Sequence, residues 1–392
     1  MKKAILSLTF FLLSQFFLPE VNGSSGCLVQ VFKGNGSIYD IKTGGRITLN
    51  DKQLLNILII AEGYTQAEHD NNKYTNDVQT WIREVELVEP LKSFKDAFII
   101  WQYNAVSKEY IIKDDLKKSD TVLAIGVNSS GDVIDDLDET AERVWKITKK
   151  NGLIKDDYYP PGGVTGNINR NLLIVILIYD PLYGRSGFSG MARRLPNPNN
   201  KRQSLSTALA HNRPHEFLHA FARLEDEYLA VKPNTKPIPN FKSEFAPTLS
   251  NVVKDPNYTT VPWKHLLAGS AINPNVRDLV GIFGDDRNGY HSEAKCLMNG
   301  THDNAKFYGG NGNLRVHDRL CNWCREITVF RLYERLHIFT NPAIDFETWK
   351  NEYRTNFYLK YGFTIPEIVP QVNNVGEVIQ TIPSCSDVPK SE

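Results

Sequence analysis

A chain of 392 residues, 41% of them hydrophobic, can bury a sizeable core and bounds the answer to one large domain or two ordinary ones. Lys plus Arg and Asp plus Glu each total 45, for a formal net charge of zero, so there is no electrostatic basis for binding nucleic acid or an anionic membrane surface. Partners must be recognised through a defined site instead.

The N-terminus reads as an export signal. Lys2 and Lys3 precede an apolar run over residues 4–18, and Val21 and Gly23 fit the small-residue positions of a cleavage site. Residues 1–23 are therefore expected to be a signal peptide, with the mature chain beginning near Ser24 and located outside the cytoplasm, secreted or periplasmic. The run is interrupted by Ser7, Thr9, Ser14 and Gln15 and falls short of the ~20 apolar residues that a membrane span requires. No later segment is long enough, so no stable membrane span is expected. Five cysteines, Cys27, Cys296, Cys321, Cys324 and Cys385, fit an oxidising compartment.

Residues 24–50 form a short N-terminal segment of strands and glycine turns. Residues 54–61 are a continuous apolar run broken at Asn56, which suits a strand buried on both faces. Glu62-Gly63-Tyr64-Thr65 then turns the chain into a helix, with Thr65 as N-cap and Glu68 completing a capping box. Val78, Trp81, Ile82 and Val85 keep a helical apolar stripe. A second strand is expected over residues 98–103, a helix over 135–150 and the most hydrophobic strand over 172–178, ending at Tyr179-Asp180. The turn at residues 183–187 suits a cleft edge or a plain surface loop. Strand, helix, strand, helix, strand and a further helix make an α/β arrangement.

That further helix carries the chemistry. His215, Glu216 and His219 form an H-E-x-x-H motif, and residues four apart share one helical face, so both imidazoles can address one metal ion. Glu216 can then reach a water on that ion and act as general base, the chemistry of a zinc peptidase. Chance produces so short a motif in roughly one chain in a hundred of this composition, so context matters. Ala220, Phe221 and Leu224 continue an apolar side, and Glu225, Asp226 and Glu227 follow closely enough to offer a third ligand.

Beyond the motif, residues 237–257 read as a proline-punctuated loop. Val280-Gly281-Ile282-Phe283-Gly284 leads through Tyr290 to Cys296-Leu297-Met298-Asn299, where a methionine sits in a tight turn downstream of the helix. From Ser384 onward the chain is polar and expected to be disordered.

Taken together, these stretches resemble the IgA peptidase family, secreted zinc metallopeptidases of metzincin-like type. The resemblance is carried by Asn56-Ile57-Leu58-Ile59-Ile60-Ala61-Glu62-Gly63-Tyr64-Thr65, by the His215 segment with its Asp226-Glu227-Tyr228 ending, by Val280-Gly281-Ile282-Phe283, by Cys296-Leu297-Met298, and by Cys321-Asn322-Trp323-Cys324-Arg325-Glu326. It implies an α/β, metzincin-like peptidase domain over residues 51–340, a C-terminal extension over 341–392, His215 and His219 as Zn2+ ligands, Glu216 as general base and Met298 as the Met-turn residue. Leu218 and Ala222 depart from the pattern at positions where glycine is usual. Tyr228 or Tyr290 can supply a hydroxyl to the reacting oxyanion, or can simply pack.

Two spacings compete for the third ligand. The ordinary metzincin interval points to Glu225, whereas the Asp-Glu-Tyr ending of the resembled family points to Asp226. In a straight helix Asp226 lies ~20° from the His215 direction and Glu225 ~80° away, but Asp226 would also be ~16 Å along the axis. The chain must therefore turn back after Phe221 or Ala222, and helical phase alone does not choose. Asp226 is the expected ligand, Glu225 the alternative and Glu227 a supporting carboxylate. Cys296 is expected to form a disulfide with Cys321 or Cys324, with Cys27 and Cys385 as a second pair and one thiol left over. The rival arrangement is a structural metal on these three cysteines and a histidine such as His317. The expected activity is endopeptidase cleavage of protein or peptide substrates. The alternatives are an exported hydrolase of small peptides or non-peptide amides, and a catalytically silent binding protein.

Overall fold

The computed structural model describes residues 26–111, 120–127, 133–134, 137–153, 166–167, 172–180, 185–186, 191–197, 200–210, 214–225, 227, 249–255, 257–267, 270, 280–284, 289–293, 296–299, 320–336, 338 and 345–361. Its centre is an eight-stranded sheet. Six strands form the spine: β1 (Cys27–Lys33), β2 (Leu55–Glu62), β3 (Phe98–Asn104), β4 (Leu172–Asp180), β5 (Met191–Asn197) and β6 (Asn200–Ala210). Their spatial order is β1-β3-β2-β4-β6-β5. The four middle strands run parallel, and β1 and β5 close the two sides antiparallel. The short strands Gly166–Asn167 and Arg185–Ser186 attach to β6 and β4.

Strict alternation along β2 and β4 explains why their sequences are apolar on both faces apart from Asn56 and the terminal Glu62 and Asp180. Leu55, Ile57, Ile59, Leu173, Val175 and Leu177 point to one core, and Leu58, Ile60, Leu172, Ile174 and Ile176 to a second on the opposite face. A strand with helices on both sides has no polar face to show, and each such side chain taken from water contributes about 1.5–3 kcal/mol. On the first face lie α1 (Lys73–Leu87), α3 (Pro214–Ala222) and α4 (Asn322–Arg335), and on the second lies α2 (Leu137–Lys150). The stripe of Val78, Trp81, Ile82 and Val85 on α1 is buried as its spacing predicts.

Both ends of the described chain join the same core. Ile38, Ile41 and Leu49 pack with Trp349, Tyr353 and Phe357, the last of which lies on α5 (Arg354–Tyr361). The Tyr333 hydroxyl donates to the Tyr39 carbonyl at 2.9 Å and accepts the Ile41 N–H at 3.0 Å.

Two elements differ from the sequence expectation. The helix after Thr65 is two pieces, Gln66–Asp70 and α1, because Asn72 adopts a left-handed φ of 60° between them. The capping box is present, with the Thr65 N–H donating to Glu68 Oε2 at 3.0 Å. The β5–β6 hairpin has no counterpart in the hydrophobic pattern, since Arg193, Arg194, Pro196, Lys201, Arg202 and Gln203 break it. Of residues 280–284 only Phe283–Gly284 pairs, with Tyr290–His291. Residues 1–25 and 362–392, with the signal peptide and Cys385, lie outside the described residues. Among the described residues no helix is long and apolar enough to cross a membrane.

Candidate metal centre

The H-E-x-x-H motif lies on α3, which follows β6 and begins at Pro214, a residue suited to the first helical turn because its missing N–H is not needed there. Phe217 and Phe221 stack at 5.4 Å and are fully buried, Phe217 against Trp81 and Phe221 against Phe98. His215 and His219 are each offset from these phenylalanines by two residues, about 200°, so anchoring one face presents the histidines on the other.

The two imidazoles are oriented from behind. His215 Nδ1 lies 3.0 Å from the Leu297 carbonyl, and His219 Nδ1 lies 2.5 Å from the Leu224 carbonyl. A carbonyl can only accept, so each Nδ1 donates, and in a neutral ring Nε2 then carries the lone pair. The two Nε2 atoms face each other at 3.0 Å. Two lone pairs at that distance repel unless a cation lies between them, so the donor set fits a metal ion held by imidazole nitrogens. Glu216 Oε1 lies 4.0 Å from His215 Nε2, and its side chain is 13% exposed. His215, Glu216 and His219 thus converge as the motif predicts.

Turning the chain back after α3 creates the His219 contact. Arg223 takes a left-handed φ of 59° and its N–H donates to the His219 carbonyl, where a residue other than glycine costs about 1–2 kcal/mol. Buried Arg335 of α4 offsets this by donating from Nε to the Phe221 carbonyl at 3.0 Å and from Nη2 to the Ala220 carbonyl at 3.1 Å. A cation at the C-terminal end of a helix also meets its negative pole favourably. The reversal expected from the ~16 Å reach problem occurs just past Ala222.

The three acidic residues part company. Glu225 is buried, with the Ser250 hydroxyl 3.4 Å from its Oε1, and both its backbone N–H and carbonyl are held by Asn251. Asp226 and Tyr228 lie outside the described residues. Glu227 donates its N–H to the Met298 carbonyl at 2.9 Å and accepts at Oε1 from Asn251 at 2.9 Å and from the Cys324 thiol at 3.0 Å. Burial, then the nearby Cys321 sulfur, pushes the Glu227 carboxyl well above its ordinary range. Met298 is fully buried in a one-turn 3₁₀ helix, Leu297–Asn299, whose first carbonyl orients His215. Tyr290 is half-buried and pairs through its backbone with Val253.

The expected disulfide is corrected by the structure. Cys296, Cys321 and Cys324 are free and fully buried, and their sulfurs and a Glu227 carboxylate oxygen all lie within 4.8 Å of one another. A disulfide would join two sulfurs at about 2.05 Å. Here Cys321 is the N-cap of α4, and its sulfur accepts the Cys324 N–H at 3.4 Å, which points it at the group rather than at one partner. Burial raises the Cys321 thiol, but hydrogen bonds from Cys296, Cys324 and Ser292 outweigh it and hold the group well below its ordinary range. His317 lies outside the described residues.

Asn251, Arg335 and the Leu224 and Leu297 carbonyls organise the site without having announced themselves. Each acts across tens of residues of chain or through backbone atoms, which no residue pattern encodes.

Among curated proteins, no sequence matches this chain. The family model described as IgA Peptidase M64 matches residues 47–277, more than half of the chain, including β2, the H-E-x-x-H helix and the acidic residues that follow it. With that match and the paired histidines in place, the chain belongs to the IgA peptidase M64 family of metallopeptidases.

Proposed function

We propose that the chain is an exported, zinc-dependent endopeptidase in which His215, His219 and Asp226 hold the ion and Glu216 is the general base. The observation that carries the reading is the pair of Nε2 atoms facing each other at 3.0 Å with the Glu216 carboxylate beside them. When bound, zinc supplies Lewis acidity, bringing the pKa of a water ligand from about 15.7 toward about 7 and polarising the scissile carbonyl.

The chain's own residues do the rest. Leu297 and Leu224 fix the imidazole planes through Nδ1, so little reorganisation is needed when the ion binds. Glu216, next to the first ligand and only partly exposed, takes a proton from the attacking water and returns it to the leaving amine. Asp226 is preferred as third ligand because the side chains on either side of it are engaged elsewhere, Glu225 near Ser250 and Glu227 at the thiols. Met298 forms a hydrophobic floor in the turn whose Leu297 carbonyl orients His215. Export rests on Lys2, Lys3 and the apolar residues 4–18, which resemble a signal peptide.

The test is a paired assay on purified protein. Chelator-sensitive cleavage of a casein-type substrate, restored by zinc, is the expected result. Turnover of small amides alone would replace the reading with a small-molecule hydrolase. No turnover of either would leave a binding protein on a peptidase scaffold. N-terminal sequencing of exported material should begin near Ser24.

A further inference from the structure

A second group of donors lies behind the histidine pair. Cys296 sits at the start of the Met298 turn, Cys321 and Cys324 at the N-terminus of α4, and Glu227 in the loop after α3. These three segments are distant in sequence, yet four ligand-type atoms, three sulfurs and one carboxylate oxygen, converge to within 4.8 Å of one another. We infer that Cys296, Cys321, Cys324 and Glu227 form a closed, four-ligand structural site for a divalent metal of zinc type, separate from the His215 and His219 centre.

Several observations agree on this. All four side chains are fully buried, and a structural zinc site is closed, tetrahedral and built from thiolates with nitrogen or oxygen donors. Glu227 Oε2 is buried and makes no hydrogen bond, with His291 Nδ1 3.8 Å away and itself 2.8 Å from the Glu293 carbonyl. A buried carboxylate oxygen without a donor is costly, and a cation is what satisfies it. The surroundings also suit thiolates. The Cys321 N–H donates to Cys296 Sγ at 3.3 Å, the Cys324 N–H to Cys321 Sγ at 3.4 Å, and the Ser292 hydroxyl lies 3.4 Å from Cys321 Sγ. Backbone and hydroxyl donors aimed at sulfur stabilise negative charge there, and the N-terminus of α4 adds its dipole. A plain hydrogen-bonded thiol cluster would leave Glu227 Oε2 unsatisfied, and a disulfide would use two sulfurs and leave the third beside the carboxylate.

The site has a clear structural use. Glu227 adjoins Asp226, its N–H holds the Met298 carbonyl, and the next carbonyl back, that of Leu297, orients His215. An ion bound here ties the exit of α3, the Met298 turn and α4 into one unit that fixes the catalytic residues from behind.

The experiment uses the full mature chain purified without chelator. Zinc-edge X-ray absorption of the unmutated protein should contain a sulfur shell at about 2.3 Å beside lighter scatterers. The His215→Ala/His219→Ala double variant, which lacks the other centre, should retain about one zinc per chain and a spectrum dominated by sulfur. Cys324→Ser in that background should lose it. Only nitrogen and oxygen scatterers in the unmutated protein, no metal in the double variant, or a disulfide among Cys296, Cys321 and Cys324 in non-reducing peptide maps would each overturn the inference. None of these readouts depends on peptidase activity, so a failure of the catalytic reading remains distinguishable.

Discussion

His215 and His219 present their Nε2 atoms to each other at 3.0 Å, each ring held by a backbone carbonyl on its opposite nitrogen. Two imidazole lone pairs so placed repel each other and a cation between them relieves this, so the pair suits a metal ion. The His219→Ala variant should require far more free zinc than the parent to restore cleavage after chelation. The shift should exceed the ~10–100-fold that losing an orienting partner costs. Titrating activity against buffered zinc measures it, and an unchanged midpoint would remove His219 from the ligand set.

In the proposed mechanism Glu216 moves protons and does not hold the ion. Glu216→Gln should keep the zinc content of the parent while kcat falls by about 10²–10⁴-fold. Metal analysis and a casein-type assay on the same sample decide this, and full activity in the variant would sink the mechanism.

For the third ligand, separate alanine substitutions at Glu225, Asp226 and Glu227 discriminate. Asp226→Ala should abolish zinc-restored cleavage, whereas Glu225→Ala should leave the zinc midpoint close to that of the parent. Glu227→Ala should lower thermal stability through the thiol site. Loss of the catalytic zinc with Glu225→Ala would instead establish the shorter spacing.

Arg335 meets the last carbonyls of α3 from inside the core. Replacing it with methionine keeps much of the side-chain volume but leaves two buried acceptors without their donor. A loss of about 2–4 kcal/mol in denaturant unfolding is expected, together with weaker zinc binding as the His219 reversal loosens. A loss below ~0.5 kcal/mol would mean that other groups cap the helix.

Glu326 is fully buried, and burial alone would raise its carboxyl. His265, Arg354 and Tyr358 outweigh that and bring it to about 2, with the His265 Nε2, Arg354 Nε and Tyr358 hydroxyl contacts at 2.7, 2.7 and 2.5 Å. A folded-state pKa below the unfolded value of about 4.5 contributes stability that is present above that value and lost as pH falls toward 2. The contribution is on the order of 3 kcal/mol. The stability difference between parent and Glu326→Gln should therefore shrink as pH is lowered from about 4.5 to about 2, read by urea unfolding across that range. A difference independent of pH would show that Glu326 does not titrate there.

The sequence by itself determined what local chemistry can encode. Apolar runs gave β2 and β4, because a strand covered on both faces is hydrophobic at most positions, Asn56 being the one break inside the β2 run. Helical spacing put His215 and His219 on one face, and the length of an α-helix required a reversal soon after Ala222. The β5–β6 hairpin escaped because its polar strands are stabilised by pairing, β6 with β4 and β5 with β6, not by their own pattern. The fate of the acidic run and the cysteines was decided only by tertiary structure. Glu225 and Glu227 are two residues apart, yet one meets Ser250 and the other three thiols from two distant segments. The expectation of an oxidising compartment favours a disulfide from composition alone, whereas the free sulfurs converge on a carboxylate because the Met298 turn, the loop after α3 and the N-terminus of α4 pack together. Such convergence is fixed by the packing of whole elements and leaves no trace in the spacing of residues.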